Sequence, residues 1–212
     1  MKLKDCFLEP LKGTGRTEFV NVMGLSRGVG ATHLAIMLGT YLVHGRHCRV
    51  AMIEYGQHGC YENIRKEKKT KRVRLSVKAA QRHAFSYNGL DFYESIYNAG
   101  FIRAMAKNYN YIIIDMRAED ILSPASPLID IWLNGMISIG VMSMVPWKMH
   151  ECMERLERIN ALAEYKKVRL VSLTGKENKK INIIPYEPNP FSIKAQNLPW
   201  LNEMTGLYYY NI

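Results

Sequence analysis

The segment Gly24-Leu25-Ser26-Arg27-Gly28-Val29-Gly30-Ala31-Thr32-His33 decides how the rest of the chain is read. Phe19–Met23, just before it, is mostly apolar, the pattern of a strand covered on both faces. After it, from Thr32, the residues Leu34, Ala35, Leu38, Tyr41 and Leu42 recur at three- and four-residue spacing, which predicts a helix ending near Gly45. Arg49–Tyr55 then predicts a second strand. Strand, glycine loop, helix and strand within about 37 residues is the size of a βαβ unit. The fold class that follows is α/β, a mostly parallel central sheet with helices on both faces. A glycine loop opening a helix in that setting aims backbone amides and the positive helix end at phosphate oxygens.

Further along, Tyr109-Asn110-Tyr111-Ile112-Ile113-Ile114-Asp115 is the clearest strand of the sequence. An acid ending an apolar strand lies on the carboxyl edge of the sheet, where ligands of α/β proteins bind; capping of the next turn is the alternative role. Ile96–Lys107 predicts a helix, Ser123–Pro127 a loop, Met136–Met144 a strand, Lys148–Tyr165 a helix, and Val168–Leu173 and Ile181–Pro185 two strands. Phe191–Tyr210 predicts a last helix followed by an aromatic tail. Between Val73 and Phe92 the apolar residues fit strands or a helix. Residues 1–17 read as a polar, Gly-containing lead-in, and 18–212 as one domain.

The 212 residues, 48% hydrophobic and 23% charged, have the balance of a globular domain rather than a disordered chain. No apolar stretch reaches the roughly 18–20 residues of a membrane-spanning helix, and the amino-terminal residues lack the pattern of a secretory signal. A cytoplasmic protein with free thiols at Cys6, Cys48, Cys60 and Cys152 is expected. The cluster His44, His47, Cys48, His58 and Cys60 contains zinc-ligand types. The second strand separates its two halves by roughly 20 Å, at about 3.3 Å per extended residue, which argues against one metal site.

Charge is concentrated. Of the net +10, +8 lies between Arg65 and Arg82, in nine basic residues that include Lys66, Lys68, Lys69, Lys71, Arg72 and Arg74 against Glu67 alone. Such a segment suits nucleic acid, an anionic membrane surface or an acidic partner, or it is a solvated face. It contains no aromatic residue, so base stacking has little support.

The loop resembles the deviant Walker A loop, Lys-Gly-Gly-Val-Gly-Lys-Thr, of the ParA/MinD ATPases. Gly28, Val29 and Gly30 match, and Thr32 takes the position of the Mg²⁺-binding hydroxyl. Ala31 stands where the family has its phosphate lysine, and Ser26 where it has the signature lysine that reaches a partner subunit's nucleotide. Arg27 can bring a cation by another path, although a planar guanidinium is not an ammonium. Arg49–Gly59 is similar to the family's second strand and Asp-x-Asp segment, with Glu54 at the first acidic position and Gly56 in place of the second aspartate, which orients the attacking water. Asp115 matches the Walker B acid, and Ile183-Ile184-Pro185-Tyr186 resembles the late strand whose loop lies near the adenine.

The resemblance implies a nucleotide site of Arg27, Gly28, Val29, Gly30, Ala31, Thr32, His33, Pro185 and Tyr186, magnesium held by Thr32 and Asp115, and a homodimer. It also implies weak turnover, since each lost phosphoryl-transfer contact commonly costs on the order of 10²–10³ in rate. Gly-Val-Gly-Ala-Thr-His-Leu-Ala, Glu54 and Val145-Pro146-Trp147 look similar to the TadZ/CpaE branch, which positions pilus machinery, so protein partners of a polar or secretion apparatus are expected, with a peripheral place at the inner membrane face. Three functions follow: a degenerate dimeric scaffold with ATP and Mg as its ligands; a slow Mg-ATPase switch using Arg27, Thr32 and Asp115; and a nucleic-acid-binding module acting through Arg65–Arg82. A relic loop that merely turns the strand into the helix is the plain alternative.

Overall fold

A computed structural model describes residues 17–73, 84–124, 126–162, 168–176 and 180–206. Its sheet has nine strands among the described residues: β1 (Glu18–Gly24), β2 (Val50–Tyr55), β3 (Lys71–Arg72), β4 (Ala84–Tyr87), β5 (Leu90–Ile96), β6 (Tyr111–Arg117), β7 (Ile137–Met142), β8 (Arg169–Ser172) and β9 (Ile181–Ile183). Their spatial order is β3-β4-β5-β2-β6-β1-β7-β8-β9. From β5 to β9 every pairing is parallel, while β3–β4 and β4–β5 are antiparallel. The central strands β2 and β7 are buried along their whole length. That is why they read as continuous apolar runs rather than alternating ones.

Among the described residues seven α-helices cover the two faces: α1 (Ala31–Arg46), α2 (Cys60–Glu67), α3 (Ala99–Met105), α4 (Ala118–Leu122), α5 (Ile129–Asn134), α6 (Pro146–Leu162) and α7 (Leu198–Thr205). Leu34, Leu38, Tyr41 and Leu42 of α1 share one apolar cluster with Tyr61 of α2 and Leu198, Leu201 and Met204 of α7. Ile102, Ile121, Trp132, Cys152, Leu156 and Ile159, from α3 to α6, form the cluster on the opposite face. The neighbouring strands β1 and β6 therefore send their following helices to opposite sides of the sheet. A crevice opens at their carboxyl ends, as it does wherever adjacent parallel strands diverge in this way.

Several sequence-based boundaries move. The helix expected over Ile96–Lys107 starts at Ala99 because Asn98 caps it, its side-chain oxygen accepting from Phe101 N at 3.0 Å, while Ile96 ends β5. The strands expected at Met136–Met144, Val168–Leu173 and Ile181–Pro185 shorten to β7, β8 and β9. The last helix is confined to Leu198–Thr205, with Pro199 in its first turn and Gly206 at its carboxyl end in the left-handed conformation. The stretch left open between strand and helix contains the β4–β5 hairpin. Asn88 and Gly89 both have positive φ, 53° and 82°, which is the two-residue turn that Asn-Gly favours. The lead-in at 1–16, Arg74 and the aromatic tail at 207–212 lie outside the described residues, as does Cys6. Cys48, Cys60 and Cys152 are free thiols. No helix of the described residues is long and apolar enough to cross a membrane.

Helix α1, which carries the phosphate-loop candidate, is locked to α7 by a buried polar network. Tyr41 Oη donates to Asn202 Oδ1 at 2.8 Å, Arg46 Nη2 donates to the same oxygen at 2.7 Å, and Arg46 Nε donates to Tyr41 Oη at 2.9 Å. Removing the shared acceptor leaves two buried donors without it, one of them charged. Asn202→Ala is therefore expected to destabilise the fold by about 2–4 kcal/mol, measured by urea unfolding. A loss below about 0.5 kcal/mol would show that the network is not what holds the two helices together.

Candidate functional site

The loop leaves β1 with its strand hydrogen bonding prolonged by one residue, Leu25 N donating to Val141 O at 2.9 Å. Val29 turns inward and is buried in the α1-side cluster, which pins the middle of the loop, while Arg27 and Gly28 stay exposed. Gly28 (φ 72°) and Gly30 (φ 92°) adopt the left-handed conformation that L side chains disfavour. Gly30 is also the N-cap residue of α1 and offers no side-chain cap. The first-turn amides of a 16-residue helix are thus left without a side-chain acceptor from the cap, at a positive helix end with no acid in its first turn. An anion fits there. The loop borders a cleft of about 430 Å³ lined by Gly24, Ser26–His33, His58, Cys60 and Asp115–Arg117.

The floor of this cleft is set by strand register. Asp115 of β6 pairs with Val22 of β1 on one side and with Glu54 of β2 on the other. Two carboxylates therefore stand side by side at the carboxyl edge, 2% and 0% exposed. Each is tied to the first turn of a helix. Glu54 Oε1 accepts from Cys60 N at 2.8 Å and Tyr61 N at 3.2 Å at the start of α2, and the Thr32 side chain of α1 hydrogen-bonds Asp115. The second oxygens, Glu54 Oε2 and Asp115 Oδ2, are buried and have no hydrogen-bond partner among the described residues. Unpartnered carboxylate oxygens beside a threonine hydroxyl are hard oxygen donors of the type Mg²⁺ takes. The residues present fit that ion.

Thr32 and Asp115 lie together in the cleft. Gly28, Val29, Gly30, Ala31, Arg27 and His33 line the same cleft. The His33 ring is committed elsewhere, its Nε2 lying 2.7 Å from Glu187 O. Pro185 and Tyr186 follow β9 outside the lining of the cleft, and Tyr186 is 79% exposed. At the position of the missing second aspartate, Gly56 has φ 82°, and a Cβ there would lie 3.2 Å from both Asp120 Oδ1 and His58 Nε2. The His58–Asp120 pair, 3.4 Å apart, occupies that space. The local backbone thus suits glycine, and the carboxylate that stands there, Asp120, is engaged by Arg117 N at 2.7 Å and lies beside His58.

Sequence reasoning weighed His58 and Cys60 only as zinc-ligand types, and passed over Arg117 in the lining and Lys148 and Arg155 behind the loop. Arg117 has a readable signal, lying two residues after Asp115 on one strand and hence on its side of the sheet. Arg155 Nη1 donates to Leu25 O at 2.9 Å and Lys148 Nζ to Arg27 O at 3.0 Å. Both come from α6, about 120–130 positions later in the chain. The basic segment is split. Arg65 pairs with Glu94 and Lys66 with Glu62 on α2, Lys68 and Lys69 are exposed beyond it, and Lys71 and Arg72 form the edge strand β3. Lysines on an edge strand also discourage pairing with another chain.

No protein-family model matches the sequence, and no curated protein does. Solved structures do. A plasmid partition protein from Borrelia burgdorferi B31 bound to AMPPNP superposes with a TM-score of 0.58 at 15% identity, covering 90% of this chain and 98% of that one. Another structure of a plasmid partition protein from Borrelia burgdorferi gives 0.57 at 16% identity, covering 93% and 100%. The kinase domain of the Escherichia coli tyrosine kinase ETK gives 0.52 at 10% identity, covering 80% and 68%. At such identities the likeness concerns the fold. The chain has the ParA/MinD-like P-loop architecture.

Burial pushes the Asp115 carboxyl up from its ordinary 3.8 to about 7, with Glu54 adding to the rise and Thr32, His58 and Arg117 opposing it. Between about pH 4 and 7 the folded chain holds a proton there that the unfolded chain has released. The contribution of this group to stability is therefore greatest below about pH 4, falls as pH rises through the window and levels off above about 7. Urea unfolding from pH 5 to 8 is expected to show a smaller decline for Asp115→Asn than for the parent. Equal slopes would place the titration elsewhere.

Proposed function

We propose that the chain is a ParA/MinD-like positioning or scaffold protein that takes Mg-ATP into the Gly24–Thr32 cleft as a stabilising ligand and turns it over little, if at all. The observation that carries this reading is the contrast within one site. The backbone of the phosphate loop is intact, with left-handed Gly28 and Gly30 framing the α1 end that lacks a side-chain cap, opposite Thr32 and Asp115. Charged hydrolysis groups are missing from the same site, with Ala31 at the lysine position and Gly56 at the water-orienting position.

Thr32 and Asp115 would hold the magnesium, which supplies charge neutralisation to phosphate oxygens. A cation at Asp115 also favours the ionised carboxylate that burial otherwise opposes. The first-turn amides of α1 bind and orient the phosphates, and Glu54 holds α2 against the floor of the cleft. That a solved neighbour of this fold is bound to AMPPNP supports the ligand class. Dimerisation is supported by exposed apolar side chains beside the loop, where Trp147 is 79%, Met149 38% and Met153 40% exposed on α6. A polar pilus or secretion apparatus is the setting to which the loop's residues point.

Isothermal calorimetry with Mg-ATP, together with an ADP-release assay on the same sample, tests this function. Saturable binding without appreciable release is expected. Release that disappears in Asp115→Ala would instead make the protein a slow ATPase switch, and no binding at millimolar ligand would leave the loop a relic turn.

A further inference from the structure

The loop of this chain carries no lysine, yet an ammonium group sits on it. Lys148 belongs to the first turn of α6, at the carboxyl end of β7, the strand next to β1. Its Nζ donates to the carbonyl of Arg27 at 3.0 Å. A methyl group placed on Gly28 would come within 3.9 Å of the same nitrogen. Lys148 also borders a second cleft of about 330 Å³, which shares Gly28 and Val29 with the first. The ammonium thus lies at the ridge of loop backbone between the two clefts.

The other cations nearby are differently engaged. Arg155 is bound by Glu119 at 2.6 Å and Glu151 at 2.9 Å, besides its contact with Leu25 O, and serves to fix the start of the loop. Arg117 stands beside Asp115 and lowers the cost of that buried acid. Arg27 is exposed at the loop's tip. Lys148 makes no ion pair with an acid among the described residues; its partner there is a neutral carbonyl. An ammonium has three donors, and one bond to Arg27 O leaves two for an incoming anion.

On the reading that the cleft binds nucleotide, we infer that Lys148 supplies the phosphate-neutralising charge that Ala31 withholds. The cation reaches the phosphates of a nucleoside triphosphate from α6 instead of from within the loop. The charge that meets the ligand is then carried by α6 and not by the loop.

The test compares calorimetric binding of Mg-AMPPNP to the parent, Lys148→Gln and Lys148→Arg, with adenosine as the uncharged probe and each titration run at two salt concentrations. Glutamine retains a donor for Arg27 O but removes the charge, so a merely structural strap survives it. Lys148→Gln is expected to weaken AMPPNP about tenfold, to reduce the salt dependence of binding, and to leave adenosine binding and the melting temperature unchanged. Lys148→Arg is expected to retain affinity within about threefold. If the parent binds AMPPNP and Lys148→Gln binds it within about twofold with the same salt dependence, the role of Lys148 is overturned while the nucleotide reading stands. If the parent binds no AMPPNP, the nucleotide reading fails and the inference fails with it.

Discussion

The structure depends on the burial of two carboxylates at one edge of the sheet. Glu54 and Asp115 are register partners on β2 and β6, almost wholly removed from water. Burial there opposes ionisation of Asp115, and the neighbouring Glu54 adds to the effect. The chain answers by bringing a helix to each. The first amides of α2 bind Glu54, and Thr32 from the first turn of α1 binds Asp115. The path of the chain after β1 and after β2 is therefore tied to these two acids, and the glycine loop is the connection that lets α1 start directly above Asp115. The same arrangement leaves one oxygen of each carboxylate without a partner among the described residues. A structural solution to burying charge would also leave room for a hard cation.

Around this floor, charge has been redistributed rather than simply lost. The loop has Ser26 and Ala31 at its two lysine positions, but α6 holds the loop's carbonyls with Arg155 and Lys148. Gly56 lacks a carboxylate, and the space it faces is taken by His58 and Asp120. An aspartate could not be introduced there by substitution alone, because both the left-handed backbone and the neighbouring pair oppose a side chain. Positions 31 and 56 thus differ in kind. A cation reaches the loop from a neighbouring element, as Lys148 does, whereas position 56 takes no side chain without displacing His58 and Asp120.

The central strands and α1 were legible because each is an apolar pattern of the right period, and Asp115 was legible because it follows the apolar run Tyr111–Ile114, although β6 continues two residues beyond it to Arg117. Asn88-Gly89 was the missed local signal, since that pair favours the two-residue hairpin turn that resolves the strand-or-helix ambiguity around it. Arg117 was also readable, two places along the strand from Asp115. Lys148 and Arg155 were not. Their role depends on β7 lying next to β1, a spatial order that no spacing in the sequence states. The tether from His33 to Glu187 joins positions 154 apart and was hidden for the same reason. The basic segment was visible as charge, but its division between helix α2, with its two ion pairs, and the edge strand β3 required the fold.

The central claim is that the loop backbone, with α1's first turn, is a working phosphate cradle. Amide hydrogen exchange across residues 24–34, followed with and without saturating Mg-AMPPNP, tests it most directly. The account predicts slowed exchange at Gly28–His33 on adding ligand, with residues of the distant β4–β5 hairpin unaffected. Unchanged exchange at Gly28–His33, with ligand shown to be bound elsewhere or not at all, would contradict it.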